Sequence, residues 1–360
     1  MKYTYLIGNG FDLNIGLKTS FGDFLKKYCQ VTSNNNDLIK MFKKEIDSNL
    51  SLWSDFETQM GIYTKQVVPL GEMSLIDYNF CMEDFRNELV SYLQNEEDRI
   101  NAHIFRNKCE VVCHRAIEYP YQFMRIGSRK ELERYILNFI NESIEYNFLI
   151  FNYTHTFEEF LCPLGYLVIG DHDSTPRHWT DEDDEGSMIL DSIGHVVHVH
   201  GELGNAILLG VNDEEQIINP NLKDNKDFLY NYIKPTANYM LGDRQDEEAK
   251  KIISESDMIF VYGMSLGESD KIWWHQIVEW LSTKEGHREH FLIVFWFDSS
   301  LNRNSPLDNI KCQEKIENRL LTFLQNKDSE TKKYVKNHIY TSLNSNIFKL
   351  DFDPFEKSNL

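Results

Sequence analysis

Residues 2–7 (Lys-Tyr-Thr-Tyr-Leu-Ile) are an apolar, β-prone run that ends abruptly in Gly8-Asn9-Gly10-Phe11-Asp12, and this junction constrains the chain more than any other. A strand that runs into a glycine-rich turn and then a helix is the local plan of a nucleotide-binding α/β unit. Glycines 8 and 10 can take positive φ and admit a phosphate close to the backbone, while free amides at the start of the next helix attract anions. Asp12 stands where it can accept from a ribose or an amide. The turn is shorter than the full G-x-G-x-x-G fingerprint, and a buried first strand ending in a Gly-rich turn is its plain structural reading.

Similar apolar runs bounded by turn residues recur at 147–152, 195–200, 206–209, 257–262, 291–297 and 337–341, and each predicts a buried strand. Their near-continuous hydrophobicity, with helical patterns between several of them, predicts a mostly parallel, Rossmann-like α/β sheet covered on both faces. Between the first two strands the spacing predicts helices over 20–30, 36–49, 53–66, 75–97, 98–118 and 129–144, with capping boxes at Ser54/Glu57 and Ser128/Glu131. The expected plan is a nucleotide-binding domain built from 1–19 and 146–350, a helical insertion over 20–145 above the carboxyl ends of the strands, and a polar tail, 351–360, that frays. The stretch 170–194, with its acidic run Asp181 to Glu185, is expected to be an irregular solvated loop without chemistry.

Composition removes several functions. The 360 residues carry 37 Lys+Arg against 57 Asp+Glu, a net charge of −20, which argues against sequence-independent binding to nucleic acid or to an anionic membrane. No apolar run approaches the roughly 20 residues of a spanning helix, and the N-terminal residues read as a strand, so a cytoplasmic protein is expected. The six cysteines, at 29, 81, 109, 113, 162 and 312, form no C-x-x-C pair and suit reduced thiols. Cys109, Cys113 and His114 share a helical neighbourhood but lack the further ligands of a metal site.

Three further segments place polar residues at the carboxyl end of a predicted strand. Asn152 ends one such strand and can aim its amide at a ligand, or cap the following helix. In His195-Val196-Val197-His198-Val199-His200-Gly201, strand alternation puts His198 and His200 on one face. That pair could hold zinc only if a third ligand such as His155 or His172 arrived from elsewhere, and no metal is expected. His200, last on its strand, is the better general base, with a hydrogen-bonded buried histidine as its bland alternative. Gly263-Met264-Ser265-Leu266-Gly267, followed by Asp270, offers small residues and hydroxyls to a ribose or phosphate, and it also spells the G-x-S-x-G of a serine hydrolase elbow.

Together these turns resemble the AbiH family of phage abortive-infection proteins. The resemblance rests on Leu6 to Leu13, Gly16 to Thr19, Asp23-Phe24, Trp53-Ser54-Asp55-Phe56-Glu57, Phe151 to Thr154 with Phe157-Glu158, His198 to Gly201, and Gly263 to Asp270. The same order is similar to a divergent sirtuin-type NAD site, which implies Asn152 near the nicotinamide ribose, His200 as catalytic histidine, and Gly263 and Ser265 against the adenosine side. Thr154 stands where a sirtuin has aspartate, Gly8-Asn9-Gly10 replaces Gly-Ala-Gly, and no four-cysteine zinc module exists. The resemblance thus implies cleavage of the nicotinamide bond of NAD rather than deacylation.

Such cleavage passes through an oxocarbenium-like centre and needs an anchored diphosphate, a held ribose, a group orienting nicotinamide and a base for water. The expected catalytic residues are His200, Asn152 and Glu57, the last as a carboxylate facing positive charge. The expected binding residues are Gly8, Asn9, Gly10, Asp12, Gly263, Ser265 and Asp270, with NAD as substrate or ligand. A nucleotide sensor or scaffold without catalysis, and a nucleotide-processing hydrolase or nuclease, are the alternatives. Expected partners are a nucleotide and a phage component as trigger, with self-association left open.

Overall fold

The computed structural model describes residues 1–30, 36–67, 73–164, 176–179, 188–283, 288–324 and 327–356. Eight strands are defined among them: β1 (Lys2–Ile7), β2 (Glu145–Ile150), β3 (Pro176–Trp179), β4 (Met188–Leu190), β5 (Ser192–His198), β6 (Met258–Tyr262), β7 (Phe291–Trp296) and β8 (Ile339–Leu343). Six form one sheet in the order β5-β2-β1-β6-β7-β8, and every pairing in it is parallel. The chain is therefore an α/β protein built on a parallel six-stranded sheet, as the apolar runs predict. The order reverses between β1 and β6, which puts the topological switch point of the sheet at their carboxyl ends.

Period-two alternation divides each strand between two cores. Tyr3, Tyr5 and Ile7 of β1 join Tyr146, Phe148 and Ile150 of β2 and Phe260 of β6 on one face, against the helices Ala102–Lys108, Glu110–Glu118 and Thr156–Leu161. Leu6, Leu149, Ile259, Val261, Leu292 and Val294 line the other face, against Gln245–Glu255, Lys271–Ser282 and Pro306–Leu321. A strand buried on both sides has no polar face, which is why its sequence reads as a continuous apolar run.

The helices Phe21–Gln30, Asp37–Ser48, Leu50–Trp53, Phe56–Tyr63 and Leu75–Glu97 build a third core, which they share with residues 203–233. Phe56 stacks on Phe85 with ring centroids 3.8 Å apart, fixing Phe56–Tyr63 against the long helix. The capping boxes fall elsewhere than expected. Asp55, not Ser54, caps Phe56–Tyr63 by accepting from Thr58 N, and Ser128 lies inside the helix Ile126–Ile136. A full box forms at Ser74/Asp77, where the serine hydroxyl and the aspartate carboxylate satisfy one another's backbone amides.

Three other expectations change. Residues 206–209 form no strand: Gly201 and Gly204 take φ of +77° and +84°, and the segment turns inward to bury Ile207, Leu208 and Leu209. Within 170–194, β3 and β4 pair antiparallel and β5 begins at Ser192, while Asp181 to Glu185 lie outside the described residues, as does His172. The end of the chain is tied down as far as residue 356. Asn101 N donates to Pro354 O at 3.1 Å, and Lys108 pairs with Glu356 at 2.8 Å. All six cysteines are free thiols, with Cys109 and Cys113 buried beside the sheet. No described helix is long and apolar enough to cross a membrane.

Candidate functional site

The turns after β1 and β6 interlock backbone to backbone. Gly8 N donates to Tyr262 O at 2.8 Å and Gly10 N to Gly263 O at 2.9 Å. A Cβ on Gly8 would lie 2.5 Å from Gly263 O, and one on Gly10 would lie 2.3 Å from Gly263 Cα. The positive φ expected at positions 8 and 10 is found instead at Gly263, at +71°. Glycine is required here because two strands that neighbour each other end in turns that touch, and the amides of Gly8 and Gly10 are engaged in that contact. Asn9 is fixed in turn by Thr19, whose hydroxyl donates to its side-chain oxygen at 2.5 Å.

The turn after β2 meets the same place from the other side. Asp12 is fully buried, and its carboxylate accepts from the hydroxyls of Thr154, at 2.7 Å, and Thr156. Burial pushes the Asp12 carboxyl up to about 6, against the pull of the two threonine hydrogen bonds. Its first role is to join the β1 and β2 turns.

A cavity of about 940 Å³ opens over these turns, and it gathers all ten expected residues: Gly8, Asn9, Gly10, Asp12, Glu57, Asn152, His200, Gly263, Ser265 and Asp270. Asn152 is 3 % exposed, and neither atom of its side-chain amide has a hydrogen-bond partner, although it stands close enough to Asp12 to help hold that charge. An unpaired buried amide costs on the order of 1–3 kcal/mol, so its presence in a cavity wall points to a ligand that completes it. It is not a helix cap; the helix after β2 starts at Thr156 from His155.

Glu57 reaches the cavity from the first turn of Phe56–Tyr63 and forms an ion pair with Lys234, Nζ to Oε1 at 2.5 Å. Both residues are buried. Burial raises the Glu57 carboxyl to about 7, Lys234 opposes it, and the charge of Asp270 adds to the rise. Asp270, which keeps part of its surface open to the cavity, is shifted upward by burial and held back by Lys234. Lys234 was not singled out in the sequence. Its partner lies 177 residues earlier in the chain, so no local pattern pointed to the pair.

His200 sits in the cavity wall edge-on to Phe151, with ring centroids 5.4 Å apart. Burial, and secondarily Lys234, push its pKa well below the usual imidazole value, so it is a neutral group at pH 7 and a weak base. His198 does not share its surroundings, contrary to the alternation expected. The strand ends at His198, and the turn sends the two rings apart: Nδ1 of His198 meets Asn152 O at 3.1 Å and Nε2 meets Glu158. Ser265 is exposed, with φ outside the left-handed region, and the next α-helix starts only at Lys271. The sharp, strained strand-to-helix turn of a nucleophile elbow is not formed.

A parallel sheet whose order reverses beneath a cavity is the architecture in which open α/β proteins place their ligand sites. Residues 4–290 match the family described as bacteriophage abortive infection AbiH. The match spans most of the chain, and the protein belongs to the AbiH family, whose membership implies an abortive-infection role against phage. No curated protein matches it.

Proposed function

We propose that the cavity binds NAD in a Rossmann-like, sirtuin-related manner, and that the protein hydrolyses the nicotinamide glycosidic bond to deplete the cofactor during infection. The observation that carries this reading is the unpaired, buried amide of Asn152 in one cavity with a carboxyl tuned to about 7, that of Glu57. The sheet order supports it, since it is the order of doubly wound dinucleotide-binding sheets and the cavity lies at the reversal point.

In this reading Asn152 orients the nicotinamide amide or its ribose, and the hydroxyl of Ser265 with Asp270 holds ribose. The C1′–N bond breaks with its electron pair passing to the pyridinium nitrogen, which leaves as neutral nicotinamide. Water oxygen bonds to C1′, and its proton passes to Glu57, a base whose pKa matches the working pH. Asp55 and Asp270 add negative charge toward the oxocarbenium-like centre. His200, being neutral, serves as a hydrogen-bonding wall, and Glu57 takes over the base role that sequence reasoning gave to the histidine. Incubating the pure protein with NAD and following nicotinamide release tests the proposal; absence of release, with and without phage lysate, would sink it.

One observation favours binding without turnover. The cavity lining contains Asp12, Asp55, Glu57 and Asp270 but no lysine or arginine among the described residues, and the Gly8 and Gly10 amides are already bonded. A nucleoside sensor would suit such a wall. Calorimetry with NAD, ADP-ribose and adenosine separates the two, since the sensor reading expects adenosine to bind as tightly as NAD.

A further inference from the structure

Behind Asn152, outside the cavity, two histidines and two glutamates face one another. His198 and Glu202 come from the β5 turn, four residues apart, and His155 and Glu158 from the β2 turn, three apart. Nε2 of His198 and Nε2 of His155 each lie 3.6 Å from the same oxygen, Glu202 Oε2. The donor atoms of Glu158, His198 and Glu202 lie within 4.8 Å of one another.

The protonation pattern follows from partners outside the group. His198 Nδ1 faces the carbonyl oxygen of Asn152 at 3.1 Å, and a carbonyl can only accept, so Nδ1 carries the hydrogen. His155 Nδ1 likewise faces a carboxylate, that of Glu97, at 3.3 Å. Each Nε2 thereby faces carboxylate oxygens, a contact that either a proton on Nε2 or a metal ion held between the members satisfies. Backbone or carboxylate acceptors on the far ring nitrogen are how metal-binding histidines are oriented. Oε2 of Glu158 is in addition buried with no hydrogen-bond partner. Ligands about 2.0–2.1 Å from a tetrahedral zinc stand roughly 3.3 Å from each other, close to the 3.6 Å contacts of Glu202, while His198 and Glu158 touch directly and must part to admit an ion.

We infer that His155, Glu158, His198 and Glu202 form a site for a divalent transition-metal ion, zinc by its mixed imidazole and carboxylate donors, which fastens the β2 turn to the β5 turn. Because His198 holds the Asn152 carbonyl, the ion fixes the backbone from which the unpaired Asn152 amide enters the cavity. The site stands independently of the NAD reading. The other candidate for the same space is a proton shared by His198 and Glu158.

The test is calorimetric titration of zinc chloride into the chelator-treated full-length protein at pH 7.5, with thermal unfolding measured in parallel. One equivalent should bind saturably and raise Tm. Glu202→Gln and His198→Gln should each weaken binding at least ~10-fold. His195→Gln, which alters the separate surface pair of His195 with Glu248, should bind as the native protein does. Absence of saturable binding, or equal affinity in Glu202→Gln, would assign the space to the proton; Glu202 is only half-buried, so that variant decides the matter even if His198→Gln folds poorly.

Discussion

The two walls of the cavity are built on opposite principles. Along the wall formed by Gly8, Gly10 and Gly263, backbone meets backbone, hydrogen bonds are complete and no side chain can be added. Along the wall formed by Glu57, Asp270 and Asn152, carboxyl groups are buried together, Lys234 pairs with Glu57 from outside the lining, and an amide is left unpaired. The first wall is rigid because its geometry leaves no alternative. The second holds groups whose protonation and pairing a ligand can change, and the proposed chemistry is assigned to it.

This contrast is broken most directly at Gly10. A valine there would place Cβ 2.3 Å from Gly263 Cα, and the obstacle is backbone that cannot swing aside. Gly10→Val should therefore unfold the protein or lower its Tm sharply, by the several kcal/mol typical of severe overpacking, rather than remove ligand binding from an intact fold. A variant with native Tm and circular dichroism would show that the two turns separate freely in solution.

On the other wall the fold should survive while chemistry fails. Glu57→Gln keeps the volume of the side chain and removes the base, so nicotinamide release should fall by ~10²–10⁴-fold. Asn152→Ala removes an amide that has no partner in the fold, and release should fall by ~10²-fold with Tm nearly unchanged. His200→Gln should cost less than Glu57→Gln. If the order of these two losses were reversed, the base would be His200, and the low basicity ascribed to its burial would be wrong.

The first wall was legible in the sequence by its location but not by its backbone-to-backbone contact, and the second only in part. Strand β1 and the helix Leu75–Glu97 have the bounds that periodicity predicts, because a two-sided strand and a capped amphipathic helix are local patterns. The cavity residues at 8–12, 152, 200 and 263–270 share one locality, the carboxyl ends of parallel strands, so topology alone brings them together. Residues 206–209 misled because four apolar residues between turns suit a strand or a buried loop equally, and contact with the helical core decided it. Lys234 and the meeting of His155 with His198 depend on segments far apart in the chain, where spacing carries no information.

The smallest effect lies in the pH dependence of stability, and it isolates the charged wall. The Glu57 carboxyl titrates at about 7 in the folded protein against 4.5 ordinarily, so between these values the native state holds a proton that the unfolded chain releases. Its contribution is thus fully present below about pH 4.5 and is lost as pH rises toward 7, by on the order of 3 kcal/mol if the shift is taken whole. Burial sets this shift, Lys234 opposes it, and Asp270 and Asp55 add to it. Asp12 acts in the same direction between 3.8 and about 6. Urea unfolding of Glu57→Gln at pH 5 and pH 7 should show a flatter stability profile than the native protein across this interval, with the part due to Asp12 retained. An unchanged slope would mean that Glu57 and Lys234 meet water in solution, and the two walls would then differ in shape but not in electrostatics.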